Sequence, residues 1–184
     1  TQTYDNVEYI TIDGGSTDGT LDIIKKYEDK VDYWVSEDDN GIYDAMNKGV
    51  LTDTGEFIAF INADDWYEEQ AIDYIVNAYN ENMNIDFFYG NLNFIKENGK
   101  IVLWQGNRGE KGLEIPHPTC FVRSSILKKE LFDTDFKIVA DTELILRLFS
   151  TNIESLYIKK AIANFRDGGV SSEFWVTQKE SFYI

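Results

Sequence analysis

The sequence is short of positive charge. Lys and Arg total 17 against 33 Asp and Glu, giving a net charge of −16 and a pI near 4.3. Such a chain repels nucleic acid and anionic surfaces, and no Lys/Arg run offsets this. The densest basic spots are the pairs Lys25-Lys26, Lys128-Lys129 and Lys159-Lys160. Cysteine is nearly absent. The single Cys120 excludes an internal disulfide and a Cys-based zinc site, and it fits a reducing compartment. The one histidine, His117, cannot build a zinc site alone. With 13 Gly and 2 Pro, collagen-like and Pro-rich classes are excluded. The longest apolar run, Phe57 to Ile61, falls far short of the about 18 residues that span a bilayer. No signal-peptide pattern opens the sequence.

What is present is a globular composition over 184 residues, 43% hydrophobic and 27% charged. That length and balance fit one domain with a core of its own. The first half alternates strand and helix patterns. Val7–Ile12 reads as a strand ending at Asp13-Gly14-Gly15, followed by a helix capped by Thr17 or Asp18 and carrying Leu21, Ile24 and Tyr27. Asp32–Ser36 reads as a strand, Gly41–Val50 as a helix, Glu56–Ile61 as a buried strand and Glu68–Tyr79 as a helix. This alternation predicts a parallel sheet with helices on its faces.

The second half is mixed. Phe87–Lys96 and Lys100–Trp104 flank Glu97-Asn98-Gly99, a hairpin signal. Residues 105–116 read as a loop, His117–Val122 as a strand, Asp141–Ser150 as a helix and Ser172–Ile184 as a short aromatic helix.

Polar clusters fall where the predicted strands end, and in an open parallel sheet ligands bind outside those ends. The first is Asp13 to Thr20, including Gly15 and Ser16. Its carboxylate can accept from a base or ribose, and equally from its own turn and helix cap. It is not an EF-hand loop, because Asp18 stands at the sixth position and Ile24 at the twelfth. The second, Ser36 to Gly49, contains Asp38, Asp39 and Asn47, and by itself reads as an acidic solvated loop. The third is Asn62-Ala63-Asp64-Asp65. A cap needs one Asp, not two, and paired carboxylates suit a hard cation completed by phosphate oxygens. The fourth, Ala140-Asp141-Thr142-Glu143, offers either an ordinary helix cap or a general base. His117, between two prolines, suits a hydrogen-bonded structural or substrate-positioning role better than a metal ligand. Trp66, Tyr67 and Trp104 can stack on a ring, although single aromatics more often pack.

In this order, together with His117-Pro118-Thr119-Cys120-Phe121-Val122-Arg123, the clusters resemble the inverting glycosyltransferase family 2 over roughly residues 1 to 170. The resemblance implies an α/β GT-A fold with a mostly parallel central sheet. It implies one domain, 1–184, in which 1–82 forms the nucleotide-binding half and 83–184 the acceptor and catalytic-base half. The activity implied is metal-dependent transfer of a sugar from a nucleotide-diphosphate sugar, UDP-sugar favoured, to a hydroxyl of a glycan or lipid-linked acceptor.

By position, Asp13, Gly15, Ser16, Asp38, Asp39, Asn47 and Asp64 would bind the donor nucleotide. Asp64 and Asp65 would hold Mn²⁺ or Mg²⁺. Asn62, His117 and Arg123 would position donor or acceptor, and Asp141 would be the base. Gly168-Gly169-Val170-Ser171 resembles a loop that follows the last strand in bacterial members. Polysaccharide biosynthesis in the cytoplasm, at the inner membrane face, is the implied setting, with peripheral membrane association of a full-length protein and a homodimer as further expectations.

The chain departs from the family pattern in three places. Asn62 replaces the first Asp of the metal motif, and Ala140 precedes the base where a Glu is usual. The family's first strand and helix are also missing ahead of Val7, which leaves Val7–Ile12 and Glu56–Ile61 without a shared partner; the expectation is a fragment, or a partner chain that fills the gap. A sugar nucleotidyltransferase and a non-catalytic nucleotide-binding fragment are the competing readings.

Overall fold

The computed structural model describes residues 2–106, 108–109, 112–113 and 115–168. The Ser172–Ile184 helix, positions 169–171 and part of the 105–116 loop lie outside them.

β1 (Ile10–Asp13) and β2 (Tyr33–Ser36) pair in parallel, joined through α1 (Thr20–Lys26) and a 3-10 turn at Glu28–Lys30. Gly19, at φ +97°, precedes α1, and Asp18 Oδ1 accepts from the Thr20 N–H at 3.1 Å and its hydroxyl at 2.7 Å. Asp18 thus braces the turn ahead of α1 rather than capping it, since the N-cap is Gly19 and neither Thr17 nor Asp18 supplies a cap. α2 (Ile42–Thr52) then lies against β1, with Gly49 facing Ile12.

The main sheet has six strands. Its path runs β3 (Phe57–Ala59), β9 (Phe121–Arg123), β5 (Phe87–Ile95), β10 (Ser155–Arg166), β4 (Trp66–Tyr67), and β6 (Ile101–Trp104) pairs with Leu92–Ile95 of β5, beyond the Phe87–Phe88 stretch that β9 takes. β5 and β10 are parallel; every other ladder in this sheet is antiparallel. The sheet is therefore mixed rather than mostly parallel, because β9 enters reversed between β3 and β5. No ladder joins β1 to β3 among the described residues. A small separate ladder joins β7 (Arg108–Gly109) to β8 (Gly112–Leu113).

Several boundaries differ from the sequence pattern for local reasons. His117–Val122 is not one strand. Pro118 has no N–H to give a ladder, so His117–Thr119 forms a 3-10 turn and β9 begins at Phe121. Trp66 and Tyr67, good strand formers, pair with Asn164 and Ala163, which delays the next helix, α3, to Ala71–Glu81. α4 (Ser124–Glu130) follows β9 directly, and α5 (Ala140–Ser150) leads into β10.

Two apolar clusters line the sheet. One gathers Phe87, Tyr89, Leu144 and Leu148 beneath α5, with Tyr43 and Val50 of α2. The other packs Phe88, Phe121 and Ile162 against Ala71 and Ile75 of α3. β10 crosses both clusters and is irregular, its register against β5 shifting between Tyr157 and Ala163. Gly90 sits at that irregularity. A Cβ there would stand 2.3 Å from Ile162 Cγ1, 3.0 Å from the Lys160 carbonyl and 3.2 Å from the Ile158 carbonyl. Gly90→Ala should therefore cost roughly 1–3 kcal/mol, the range for overpacking, read as a lowered urea midpoint. An unchanged midpoint would show that β10 yields at this point.

Candidate functional site

The first acidic cluster is held by its own turn. Asp13 ends β1 and is 7% exposed. Its Oδ2 accepts from the Gly15 N–H at 3.1 Å, the Ser16 N–H at 2.9 Å and the Ser36 hydroxyl at 2.6 Å. Hydrogen bonds from Ser16 and Ser36 hold this carboxyl below the ordinary Asp range. Because β1 and β2 are parallel neighbours, the 13–16 turn lies beside the 37–39 loop. A Cβ on Gly14 would stand 2.4 Å from Asp39 Oδ2, and one on Gly15, at φ +81°, 2.8 Å from Asp38 Oδ1. The glycines thus let two acidic loops close on each other. Asp39 Oδ1 accepts from the Gly41 N–H at 2.9 Å, and Lys48 binds the Asp38 carbonyl at 3.1 Å and Glu37 at 2.9 Å.

α2 carries this pair of loops to the base candidate. Tyr43, in its first turn, donates to the Ile138 carbonyl and lies 3.3 Å from Asp141 Oδ1. Asp141 stands in the first turn of α5, one residue inside its start rather than capping it. The Thr142 N–H donates to the same Oδ1 at 2.7 Å. Oδ2 is left facing His117 Nδ1 at 3.9 Å. His117 stacks on Phe60 at 5.5 Å and meets Phe132 edge-on at 5.7 Å. Burial in this aromatic box depresses its pKa, with Asp141 opposing, so the imidazole is neutral near pH 7.

Phe60 also leads into the third cluster. Its carbonyl accepts from Tyr67 at 2.8 Å, and the chain turns at Asn62, whose carbonyl accepts from the Asp65 N–H at 3.1 Å. Asp64 is exposed; Asp65 is half-buried. Asp65 Oδ1 accepts from the Arg166 N–H at 3.0 Å, while Oδ2 is buried without a partner. Desolvation and the neighbouring Asp64 push this carboxyl up to about 6, against the Arg166 N–H. Among the described residues, no group of three or more His, Cys, Asp or Glu is gathered to hold a metal.

The structure thus brings together the ends of β1, β2 and β3, the 3-10 turn at His117 and the start of α5. It does not bring Asn47 or Arg123 into the opening. Asn47 spends its amide on the Phe132 backbone, donating to the carbonyl at 2.9 Å and accepting from the N–H at 2.8 Å. Arg123 is drawn to the opposite end of β3, where it pairs with Asp86 and with Glu56 at 2.9 Å and lies over Phe57 at 4.9 Å. Tyr43, Phe60 and Lys48 are the site residues that sequence reasoning gave no role. Tyr43 and Lys48 lie inside the second motif, which was the only signal for them.

Asp13→Asn keeps the shape of the acceptor and removes its charge. Since the folded pKa is lowered, the carboxylate stabilises the fold above the unfolded value, and that stability is lost as pH falls through the folded value. Asp13→Asn should cost roughly 1–3 kcal/mol at pH 7 by urea unfolding, with the gap to wild type closing below about pH 3.9. A gap independent of pH would contradict this.

Three comparisons bear on this arrangement. The family model for glycosyl transferase family 2 matches residues 1–150. An uncharacterized glycosyltransferase of Mycobacterium tuberculosis is 30% identical over 175 residues, covering 90% of this chain and 66% of that protein. A glycosyltransferase of PGL/p-HBAD biosynthesis from Mycobacterium bovis is 28% identical over 183 residues, covering 93% and 70%. Among solved structures, Staphylococcus aureus TarS with UDP-GlcNAc superposes with a TM-score of 0.75 at 20% identity, covering 91% of this chain and 52% of that one. The mannosyltransferase PcManGT of Pyrobaculum calidifontis, with GDP-Man and Mn²⁺, gives 0.61 at 15%, covering 95% and 52%. This chain therefore spans about two thirds of these curated relatives and half of these solved chains, and the fold is the GT-A fold expected. With the family model covering most of its length, the chain belongs to glycosyltransferase family 2.

Proposed function

We propose that this chain transfers a sugar, with inversion, from a nucleotide-diphosphate sugar to a hydroxyl of a glycan or lipid-linked acceptor. The observation that carries the reading is the setting of Asp141. Its Oδ1 is anchored by the Thr142 N–H, with the Tyr43 hydroxyl 3.3 Å away, and its Oδ2 makes no hydrogen bond among the described residues. A carboxylate held by one oxygen and open at the other is suited to take a proton. The acceptor oxygen attacks the anomeric carbon from the side opposite the diphosphate. As that C–O bond forms, the bond to the diphosphate breaks and the acceptor proton passes to Asp141.

The donor nucleotide would lie at the ends of β1 and β2, against Asp13, Gly15, Ser16, Asp38 and Asp39. UDP is favoured because TarS, which shares the fold, has been solved with UDP and UDP-GlcNAc. A divalent cation fits the third cluster. Asp65 Oδ2 is a buried acceptor without a partner and Asp64 is exposed beside it. Two carboxylates completed by phosphate oxygens make a usual Mg²⁺ or Mn²⁺ donor set. When bound, such an ion offsets charge on the leaving diphosphate. It also accounts for an anionic donor binding a chain of net charge −16.

Residues 1–82 would serve the donor and 83–184 the base and acceptor. No described helix is long and apolar enough to cross a membrane. A cytoplasmic setting at the inner membrane face, in polysaccharide biosynthesis, and a homodimer complete the proposal.

Thermal unfolding with UDP, GDP, dTDP, CTP and GTP, each with and without Mn²⁺, tests donor binding. A shift for one diphosphate that needs metal is expected. A preference for triphosphates would favour a nucleotidyltransferase, and no shift at all would favour a non-catalytic fragment. Asp141→Asn keeps an acceptor for the Thr142 N–H and should lower kcat by roughly 10²- to 10⁴-fold while the UDP shift persists. Turnover at the wild-type rate would remove Asp141 from this role.

A further inference from the structure

We propose that a row of side chains at the far side of the sheet, centred on Trp66, binds an uncharged pyranose ring of the acceptor. The row follows from register. Leu103 of β6 pairs with Asn93 of β5, Asn93 pairs with Asn164 of β10, and Asn164 pairs with Trp66 of β4. Paired residues share a face, and side chains along a strand alternate. Asn93 therefore lies on the face that carries Phe87 and Tyr89, the face α5 covers, but beyond the end of that packing. β5 and β10 run parallel to each other, and both run in the direction of β3 through the reversed β9. The row thus sits toward the carboxyl ends of these strands, where ligands bind. Trp66 follows Asp65 directly in the chain.

The chemistry of the row is that of sugar recognition. Trp66 is 42% exposed and Leu103 is 50% exposed, so apolar surface stands at both ends. The Arg166 guanidinium lies 5.4 Å from the Trp66 ring centroid and fixes its pose. Between the apolar ends is a buried amide pair. Asn164 is 4% exposed; its amide N–H₂ donates to Glu68 Oε1 at 3.0 Å and to the Trp66 carbonyl at 3.4 Å. Asn93 donates to Asn164 Oδ1 and to Glu68 Oε1, both at 3.1 Å.

This network uses up the donors and leaves acceptors. Asn93 Oδ1 and Glu68 Oε2 have no hydrogen-bond partner among the described residues, and neither is a buried orphan. Fixed acceptors beside an indole match a ring with apolar C–H faces and hydroxyl donors at its rim. Glu68 disfavours a phosphate or carboxylate at the amide pair, while Arg166 is spent on the Trp66 ring at the other end.

Position assigns this ring to the acceptor. The loops proposed for the donor lie at β1 and β2, a ladder separate from the six-stranded sheet, while the row lies on β4, β10, β5 and β6, across β9 from β3. His117, which stacks on Phe60 just past β3 and faces Asp141, leads into β9, the strand that separates β3 from β5. The assignment to an acceptor rests on the function proposed above; the sugar-binding row itself does not.

The test separates the two. Methyl glycosides of glucose, galactose, mannose, rhamnose and N-acetylglucosamine are titrated singly into the full chain, read by saturation-transfer NMR. At least one should bind, saturated most at its ring C–H protons. Trp66→Ala should weaken that glycoside roughly tenfold, equivalent to about 1.4 kcal/mol, and Trp66→Phe should restore most of the loss. An exposed position makes both variants compatible with folding, which urea unfolding checks. Failure of every glycoside to bind wild type, equal binding by Trp66→Ala, or a Trp66→Phe protein no better than Trp66→Ala would each overturn the platform. UDP-dependent stabilisation is measured on the same wild-type sample. Its loss would strike the transferase reading and leave the glycoside result to decide the platform.

Discussion

The joint between α2 and the start of α5 is the contact on which the rest of the site depends. β1 and β2 form no ladder with the six-stranded sheet among the described residues. Their acidic loops therefore have no sheet hydrogen bonds to fix them relative to Asp141. α2 supplies that link. Tyr43 reaches Ile138 and Asp141, and Asn47 grips the Phe132 backbone with both amide atoms. Tyr43 also stacks on Phe132 at 5.6 Å, and Val50 is fully buried in the core that α5 covers. One helix thus carries the acidic loops at its start and core packing along its length. A shift of α2 would move Asp13 and Asp39 relative to Asp141, the base proposed above, and reacting groups tolerate little misplacement.

The site also sorts its carboxylates. Asp13 is surrounded by donors and is held strongly ionised. Asp65 sits where burial opposes charge, with one oxygen unsatisfied. The first is a finished hydrogen-bonding group, preset in its turn. The second is unfinished and gains most from a positive partner. For the anionic donor proposed above that difference matters, because uniform negative charge would only repel.

Much of this was legible in the sequence, and the reasons are local. Strand ends marked by Asp13-Gly14-Gly15 and Asn62-Ala63-Asp64-Asp65 announce themselves through turn chemistry after apolar runs. The Asn98-Gly99 hairpin was legible likewise, with Gly99 at φ +78°. What stayed hidden depends on long-range pairing. The reversed β9, which makes the sheet mixed, is only three residues long and begins just after a 3-10 turn. β10, the longest strand, carries exposed Lys159-Lys160 and register shifts that blur its alternation. Arg123 shared a motif with His117, but β9 carries it to the other end of β3, where Asp86 and Glu56 hold it. Spacing along a chain does not say which end of a strand a side chain reaches. Tyr43 was visible only as one letter of a motif, since its partners Ile138 and Asp141 lie far along the chain.

The central claim is a single displacement with one carboxylate as base, and the product's anomeric configuration tests it most directly. Proton NMR of the glycoside formed from an α-linked UDP-sugar reads that configuration from the coupling at the anomeric carbon. A β-linked product is predicted, because attack comes from the face opposite the diphosphate. An α-linked product would require two displacements or attack on the same face, and would contradict the account.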